Sequence, residues 1–198
     1  MKFKLEIYHR QSIRLPEYDY SQPGYYFITV CCYKKQYFFG DIKNQKMLLS
    51  PIGEIAEQCW LEIPKHFHDV KLDKYVIMPN HMHGLIKIVN NRQNVMARDV
   101  AQHVVPLRHI NQPSQNKFQH IIPQSLGVII RGYKSIVTKL YRQNNVEYRI
   151  WQRNYYERVI RDQSELNRIR GYIKNNPANW QDDRNNLEIT HRRDCFLN

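Results

Sequence analysis

Two histidines one residue apart interrupt an otherwise apolar run, YVIMPNHMHGLIKI, at positions 75–88. On a strand, residues i and i+2 share a face, so His81 and His83 project together while Met82 turns the other way. Two neutral imidazoles on one face can hold one divalent metal ion. The plainer alternative is one core histidine and one surface histidine, and spacing alone does not choose. A metal acting on phosphates also needs a third protein ligand and open positions. Near the other end of the chain, GYIKNNP places Tyr172 and Asn176 one helical turn apart on one face. A phenol there can attack, and an amide oxygen can reach the same ion. The competing reading is a core-edge tyrosine and a helix-ending asparagine before proline. Tyr133, Tyr141, Tyr155 and Tyr156 are rival tyrosines, and His66 and His68 in KHFHD read as a solvated strand entry.

The elements that must position these groups follow from periodicity. GYYFITVCCYKKQYFFG (24–40) alternates β-branched and aromatic residues and reads as a central strand. Ser50 and Pro51 open a helix whose apolar residues are Ile52, Ile55, Ala56, Cys59, Trp60 and Ile63, closed by Pro64. DVKLDKYVIM and HMHGLIKIV are two strands joined at Met78–Pro79–Asn80, a turn in which Pro79 cannot donate to a ladder. A helix capped by Ser125 carries Val128, Ile129, Ile136, Val137 and Leu140 as its stripe. YRIWQRNYYERVIR reads as a strand. The last helix begins at Asp162, with Glu165 at capping-box spacing, and buries Leu166, Ile169 and Ile173 before Pro177 ends it. The order strand, helix, strand, strand, helix, strand, helix predicts an α+β fold, a ferredoxin-like antiparallel sheet with helices on one face. The 198 residues suit a single domain, 1–198, with a polar exposed insertion at about 91–120 and a basic C-terminal tail at 181–198.

Thirty Lys and Arg against eighteen Asp and Glu give a formal net charge of +12. A polyanionic partner is the simplest reason to tolerate such self-repulsion, and nucleic acid is the first candidate. No apolar run is long enough to span a membrane, and the N-terminus lacks a secretion signal, so no membrane partner is expected. The four cysteines lack CxxC spacing, which fits reduced thiols in a cytosolic protein.

YVIMPNHMHGLI resembles the HUH motif of single-tyrosine HUH transposases, in particular the REP-associated tyrosine transposases, kin of the single-strand transposases of small insertion sequences. YYFITVCCYKKQYFFG, SLGVIIRGYKSIVTKLY and IWQRNYYERVIRDQSELNRIRGYIKNNPANW resemble further blocks of that family in the same order. The likeness covers roughly 24–180 apart from 91–120. It implies the HUH endonuclease fold, with His81, His83 and Asn176 as ligands of Mg²⁺ or Mn²⁺ and Tyr172 as nucleophile. It further implies cleavage of single-stranded or hairpin DNA, REP-like in sequence, through a 5′-phosphotyrosine intermediate. A 3′-OH can reverse that step without ATP. The protein would then be cytoplasmic and nucleoid-associated, acting as a monomer or homodimer. Arg131, Lys134, Lys139, Arg142, Arg149, Arg153, Arg158 and Arg161 form a basic run expected on the DNA backbone. Tyr155, Tyr156 and Trp151 are expected to stack on bases, with core packing the stronger reading for Trp151. Two other classes compete: a non-catalytic hairpin-DNA or RNA binding module on the same scaffold, and a zinc metallohydrolase. The latter lacks an HExxH motif and a carboxylate base beside the pair.

Overall fold

The structure is a computed structural model that describes residues 18–89, 124–143, 149–183 and 185–186. The 91–120 insertion and most of the 181–198 tail lie outside them. Among the described residues no helix is long and apolar enough to cross a membrane.

The frame is a four-stranded sheet. β1 (Gly24–Cys31), β4 (Val70–Met78), β5 (His81–Ile88) and β6 (Tyr156–Ile160) pair in the order β4-β5-β1-β6, antiparallel throughout. β1 is central, as its run of β-branched and aromatic residues predicts. It sets the register: Ile28 faces Gly84, Thr29 faces His83, and Cys31 faces His81. Directly paired residues share a face. One face therefore carries Tyr26, Ile28, Val30, Met82 and Ile86, and the other carries Phe27, Thr29, His81, His83 and Leu85.

Both faces are apolar, so both need cover. α1 (Pro51–Leu61) and α3 (Leu126–Arg142) pack on the first, sealing the main core around Trp60, Ile130 and Tyr133. α4 (Gln163–Asn175) packs on the second, where Leu166, Ile169 and Ile173 close over Leu85 with Phe27, Val76 and Ile160. The α+β plan and the antiparallel sheet are those expected. The helices, expected on one face, divide between two because β1 and β5 present apolar side chains in both directions.

Local chemistry explains most boundaries. Ser50 caps α1, its hydroxyl oxygen accepting from the Gly53 amide at 3.2 Å, with Pro51 in the first turn. Asp162 caps α4 by accepting from the Glu165 amide at 2.8 Å. The α3 stripe is Leu126, Ile129, Ile130, Tyr133 and Val137, so Ile136 is left 40% exposed rather than buried. The shift follows from Tyr133, a core residue whose hydroxyl donates to the Ala56 carbonyl at 3.2 Å. Pro64 does not end α1, which stops at Leu61. It sits in the first turn of a separate short helix, α2 (Ile63–His66). The sequence reading missed a hairpin, β2 (Gly40–Lys43) with β3 (Lys46–Leu49), turned by Asn44 and Gln45 at positive φ. Of the strand read over 148–161, the described residues are regular only at Tyr156–Ile160. Upstream, Trp151 makes an isolated bridge to Cys32.

Gly84 is fixed by a close approach. A Cβ at this position would lie 2.3 Å from the Trp60 ring, which packs on the bare backbone from the first face. The histidine-bearing strand is thus backed by an indole exactly where His83 turns the other way.

Candidate active site

His81 and His83 project from β5 onto the α4 face and are 0% and 2% exposed. Their rings meet with Nε2 atoms 3.1 Å apart. Each outer nitrogen has its own partner. The Asn80 amide donates through Nδ2 to the carbonyls of Lys35 (3.0 Å) and Asn185 (2.7 Å), which turns its Oδ1 toward Nδ1 of His81 at 2.8 Å. A carbonyl oxygen only accepts, so the proton of neutral His81 is on Nδ1 and its Nε2 presents a lone pair toward Nε2 of His83. Nδ1 of His83 lies 2.7 Å from the Thr29 hydroxyl directly across the sheet. Outer-nitrogen hydrogen bonds of this kind orient metal-ligating imidazoles.

α4 brings the tyrosine to this pair. The buried stripe Leu166, Ile169 and Ile173 fixes the rotation of the helix, and Arg170 anchors it to β4 through an ion pair with Asp73. Asp73 is available because a bulge between Leu72 and Tyr75 breaks the β4 register. The Asp73 carboxylate in turn raises the affinity of the Arg170 guanidinium for its proton. Tyr172, two residues on, is 44% exposed, yet its hydroxyl sits 3.0 Å from Nε2 of His83. Phe27 stacks on His83 at 5.3 Å and meets the Tyr172 ring edge-on at 6.1 Å. Asn176 caps the C-terminus of α4, one turn after Tyr172. It is 3% exposed, and its Oδ1 is buried with no hydrogen-bond partner.

The donor set fits a hard divalent cation. Two nitrogens bound side by side on one ion, each at ~2.1 Å, lie about 3 Å apart, close to the separation of the two Nε2 atoms. The orphaned amide oxygen of Asn176 is an oxygen donor of the type such ions prefer. Asp183 also reaches the pair. Its carboxylate and the two histidines offer ligand atoms that all lie within 4.8 Å of one another.

Of the tyrosines named as rivals, Tyr133 and Tyr155 belong with the main core, whereas Tyr156 pairs with Thr29 and so shares the histidine face. Burial raises the Tyr133 phenol well above its ordinary value, so it stays protonated. Tyr155 packs against the main core, and Tyr156 is 48% exposed on β6, paired with Thr29. The basic run is divided by the sheet. Arg131, Lys139 and Arg142 are exposed on α3, which covers the face opposite the histidines. Arg158 and Arg161 lie on the histidine side. Arg158 is held by Glu165 at 2.5 Å, and the Glu165 carboxylate also accepts from the Arg161 amide at 3.1 Å. Arg153 is exposed in the loop before β6. Lys134 is turned inward: Nζ donates to the carbonyls of Gln152 (2.7 Å) and Asn154 (2.9 Å), and burial brings it down to about 8. Trp151 is a core residue, 7% exposed.

The sequence reading did not single out Thr29, Asn80, Phe27, Trp180 or Asp183. The first three are inferable once β1 is paired with β5, because Thr29 and Phe27 fall on the histidine face and Asn80 precedes the pair. The segment 180–186 carries no periodic signal, and only the fold brings it to the site. Trp180 lies 6.1 Å from the His81 ring, and Tyr37 donates to Asn186 at 2.8 Å.

Two comparisons bear on this arrangement. The fold is that of a solved REP-associated tyrosine transposase bound to a REP hairpin, with a TM-score of 0.52 and 15% identity over 84% of this chain and 73% of that one. No protein-family model matches the chain. It is 41% identical over 182 residues to a Haemophilus influenzae protein described as uncharacterized, a match that spans 92% of this chain and 96% of that protein. The chain belongs to the same family as that Haemophilus protein.

Proposed function

We propose that the protein is a metal-dependent single-stranded DNA endonuclease and strand transferase of transposase type, with Tyr172 as its nucleophile. The observation that carries the reading is the Tyr172 hydroxyl 3.0 Å from the inner nitrogen of a histidine pair whose outer nitrogens are both tied down. A shared fold with a transposase bound to a REP hairpin supports the same substrate class here, a short DNA hairpin with single-stranded flanks. Such a substrate places the protein in the cytoplasm at the nucleoid.

His81 and His83, with Asn176 as a further ligand, would hold Mg²⁺ or Mn²⁺. Such an ion would neutralise charge on the phosphate oxygens and favour the phenolate over a phenol whose ordinary pKa is about 10. The remaining chemistry belongs to the chain. Asn80 holds His81 in one tautomer, and Thr29 and Asn80 together fix the orientation of the two imidazoles. Tyr172 is exposed enough for an extended strand to reach it. Its oxygen forms a bond to the backbone phosphorus, the bond from phosphorus to the 3′ oxygen breaks, and that oxygen leaves as a 3′-OH. The phosphate stays on Tyr172 as a phosphotyrosine diester, so a 3′-OH can reverse the reaction and join strands. The basic side chains Arg158 and Arg161 beside the histidine face and Arg153 in the loop before β6 contact the backbone, and Arg131, Lys139 and Arg142 on the far face hold more distant phosphates.

The test uses end-labelled hairpin oligonucleotides made from inverted repeats beside the gene, incubated with the protein and Mn²⁺. A covalent adduct that resists denaturing electrophoresis is expected, lost in Tyr172→Phe and on chelation while hairpin binding persists. Adduct formation by Tyr172→Phe at the wild-type rate overturns the assignment.

A further inference from the structure

From the position of one carboxylate, we infer that Asp183 is a direct ligand of the metal ion, delivered by the segment after α4. Loading of the site would therefore be coupled to docking of residues 180–183, 185 and 186. The inference rests on the metal-dependent reading above and deepens it.

Three observations converge. First, the Asp183 side chain is 7% exposed, and its Oδ2 lies 3.9 Å from Nε2 of His81. That is too long for a hydrogen bond but suits two atoms sharing a third between them. Second, the Asn80 network turns Nε2 of His81 inward, where it meets Nε2 of His83 at 3.1 Å. With the Asp183 carboxylate, three ligand atoms gather within 4.8 Å. Third, the carboxylate is held in place. Its Oδ1 accepts from the Asn185 amide at 2.6 Å, the Asn185 carbonyl accepts from Asn80, and the Asn186 side chain donates to the Trp180 carbonyl at 3.1 Å. Asn80 thus touches His81 with one end of its amide and the Asp183 segment with the other. Two imidazoles and one carboxylate leave positions open on a six-coordinate ion for substrate oxygens.

The geometry also assigns a consequence to chain order. Tyr172 lies before Pro177 and Asp183 after it, so the nucleophile and the carboxylate reach the ion from the two sides of one turn. Residues 180–183, 185 and 186 form a wall of the site.

The experiment measures Mn²⁺ affinity of the full chain by calorimetry, without DNA, for wild type, His81→Ala, Asn176→Ala, Asp183→Asn and Asp183→Cys. Asp183→Asn keeps an oxygen for the Asn185 amide. Its Mn²⁺ affinity is expected to fall by about tenfold or more, at least the loss typical of a residue that merely orients a ligand. Asp183→Cys is expected to bind Cd²⁺ in preference to Mn²⁺, because a thiolate is a soft ligand. A purely structural carboxylate would not produce that switch. In wild type, Mn²⁺ should slow hydrogen exchange at the Asp183, Asn185 and Asn186 amides. If Asp183→Asn binds Mn²⁺ like wild type while His81→Ala does not, or if those amides gain no protection, Asp183 is not a ligand and the function above stands. If wild type itself binds no divalent ion, both readings fall.

Discussion

Thr29→Val isolates the part played by the outer hydrogen bond of His83. The substitution keeps shape and β-branching in a strand, so it opens no cavity and leaves the β1–β5 pairing intact. It removes the one hydroxyl 2.7 Å from Nδ1 of His83, at a site where Thr29 is 6% and His83 2% exposed. Leaving a buried polar atom unsatisfied costs ~1–3 kcal/mol. The second effect is chemical. Without its partner, the His83 ring loses the hydrogen bond that fixes its orientation toward His81 and Tyr172. Loss of such an outer partner typically weakens metal affinity about 10–100-fold. Urea denaturation in EDTA reads the first effect and Mn²⁺ titration calorimetry the second, with Thr29→Ser as the rescue that restores the hydroxyl. Unchanged Mn²⁺ affinity in Thr29→Val, with a stability loss no greater than that of Thr29→Ser, would refute the claim that Thr29 orients His83.

Three further outcomes follow from the packing. Gly84→Ala drives a Cβ to 2.3 Å from the fully buried Trp60 ring, which is hemmed in by Tyr75 and Tyr133. It should cost ~1–3 kcal/mol or more in urea midpoint and weaken Mn²⁺ binding through the neighbouring His83. Ile169→Ala removes a buried contact between α4 and the sheet and should cost ~2–5 kcal/mol, with adduct formation falling more than hairpin binding because Tyr172 rides on that helix. Lys134, brought down to about 8 by burial, releases its proton in the folded state before the unfolded chain does. The unfolded chain then binds more protons, so stability gains from this group as pH rises through the interval between about 8 and the ordinary lysine value of ~10.4. Denaturation of wild type relative to Lys134→Met, compared at neutral and at alkaline pH, should shift in favour of wild type at the higher pH, and an unchanged difference would count against the burial.

The parts legible in the sequence were those with a short period and strong side-chain chemistry. β1, β5 and α4 follow from alternation, from the His81/His83 spacing and from the Asp162 cap, because each is decided by neighbours within a few residues. Tyr172 and Asn176 fall one turn apart for the same reason, and the structure brings Tyr172 to His83. What escaped depends on partners far along the chain. The β2–β3 hairpin has four-residue strands and an Asn44–Gln45 turn that lacks the usual glycine. Tyr133 reads as a rival nucleophile until Ala56 is seen to accept its hydroxyl. The split of the basic residues between two sides of the sheet, and the inward turn of Lys134, follow only once the core is assembled. Asp183 has no local signature at all; it reaches His81 across about a hundred residues of chain.

Trp60 behind Gly84 has a kinetic meaning. A strand clamped between an indole on one side and α4 on the other has little freedom to rearrange, so the two imidazoles keep their spacing whether or not an ion sits between them. The motion that admits or releases an ion or a DNA strand then falls to side chains and segments outside the clamp, above all the exposed phenol of Tyr172. Turnover would be governed by how fast that ring swings away from His83, while β5 stays still.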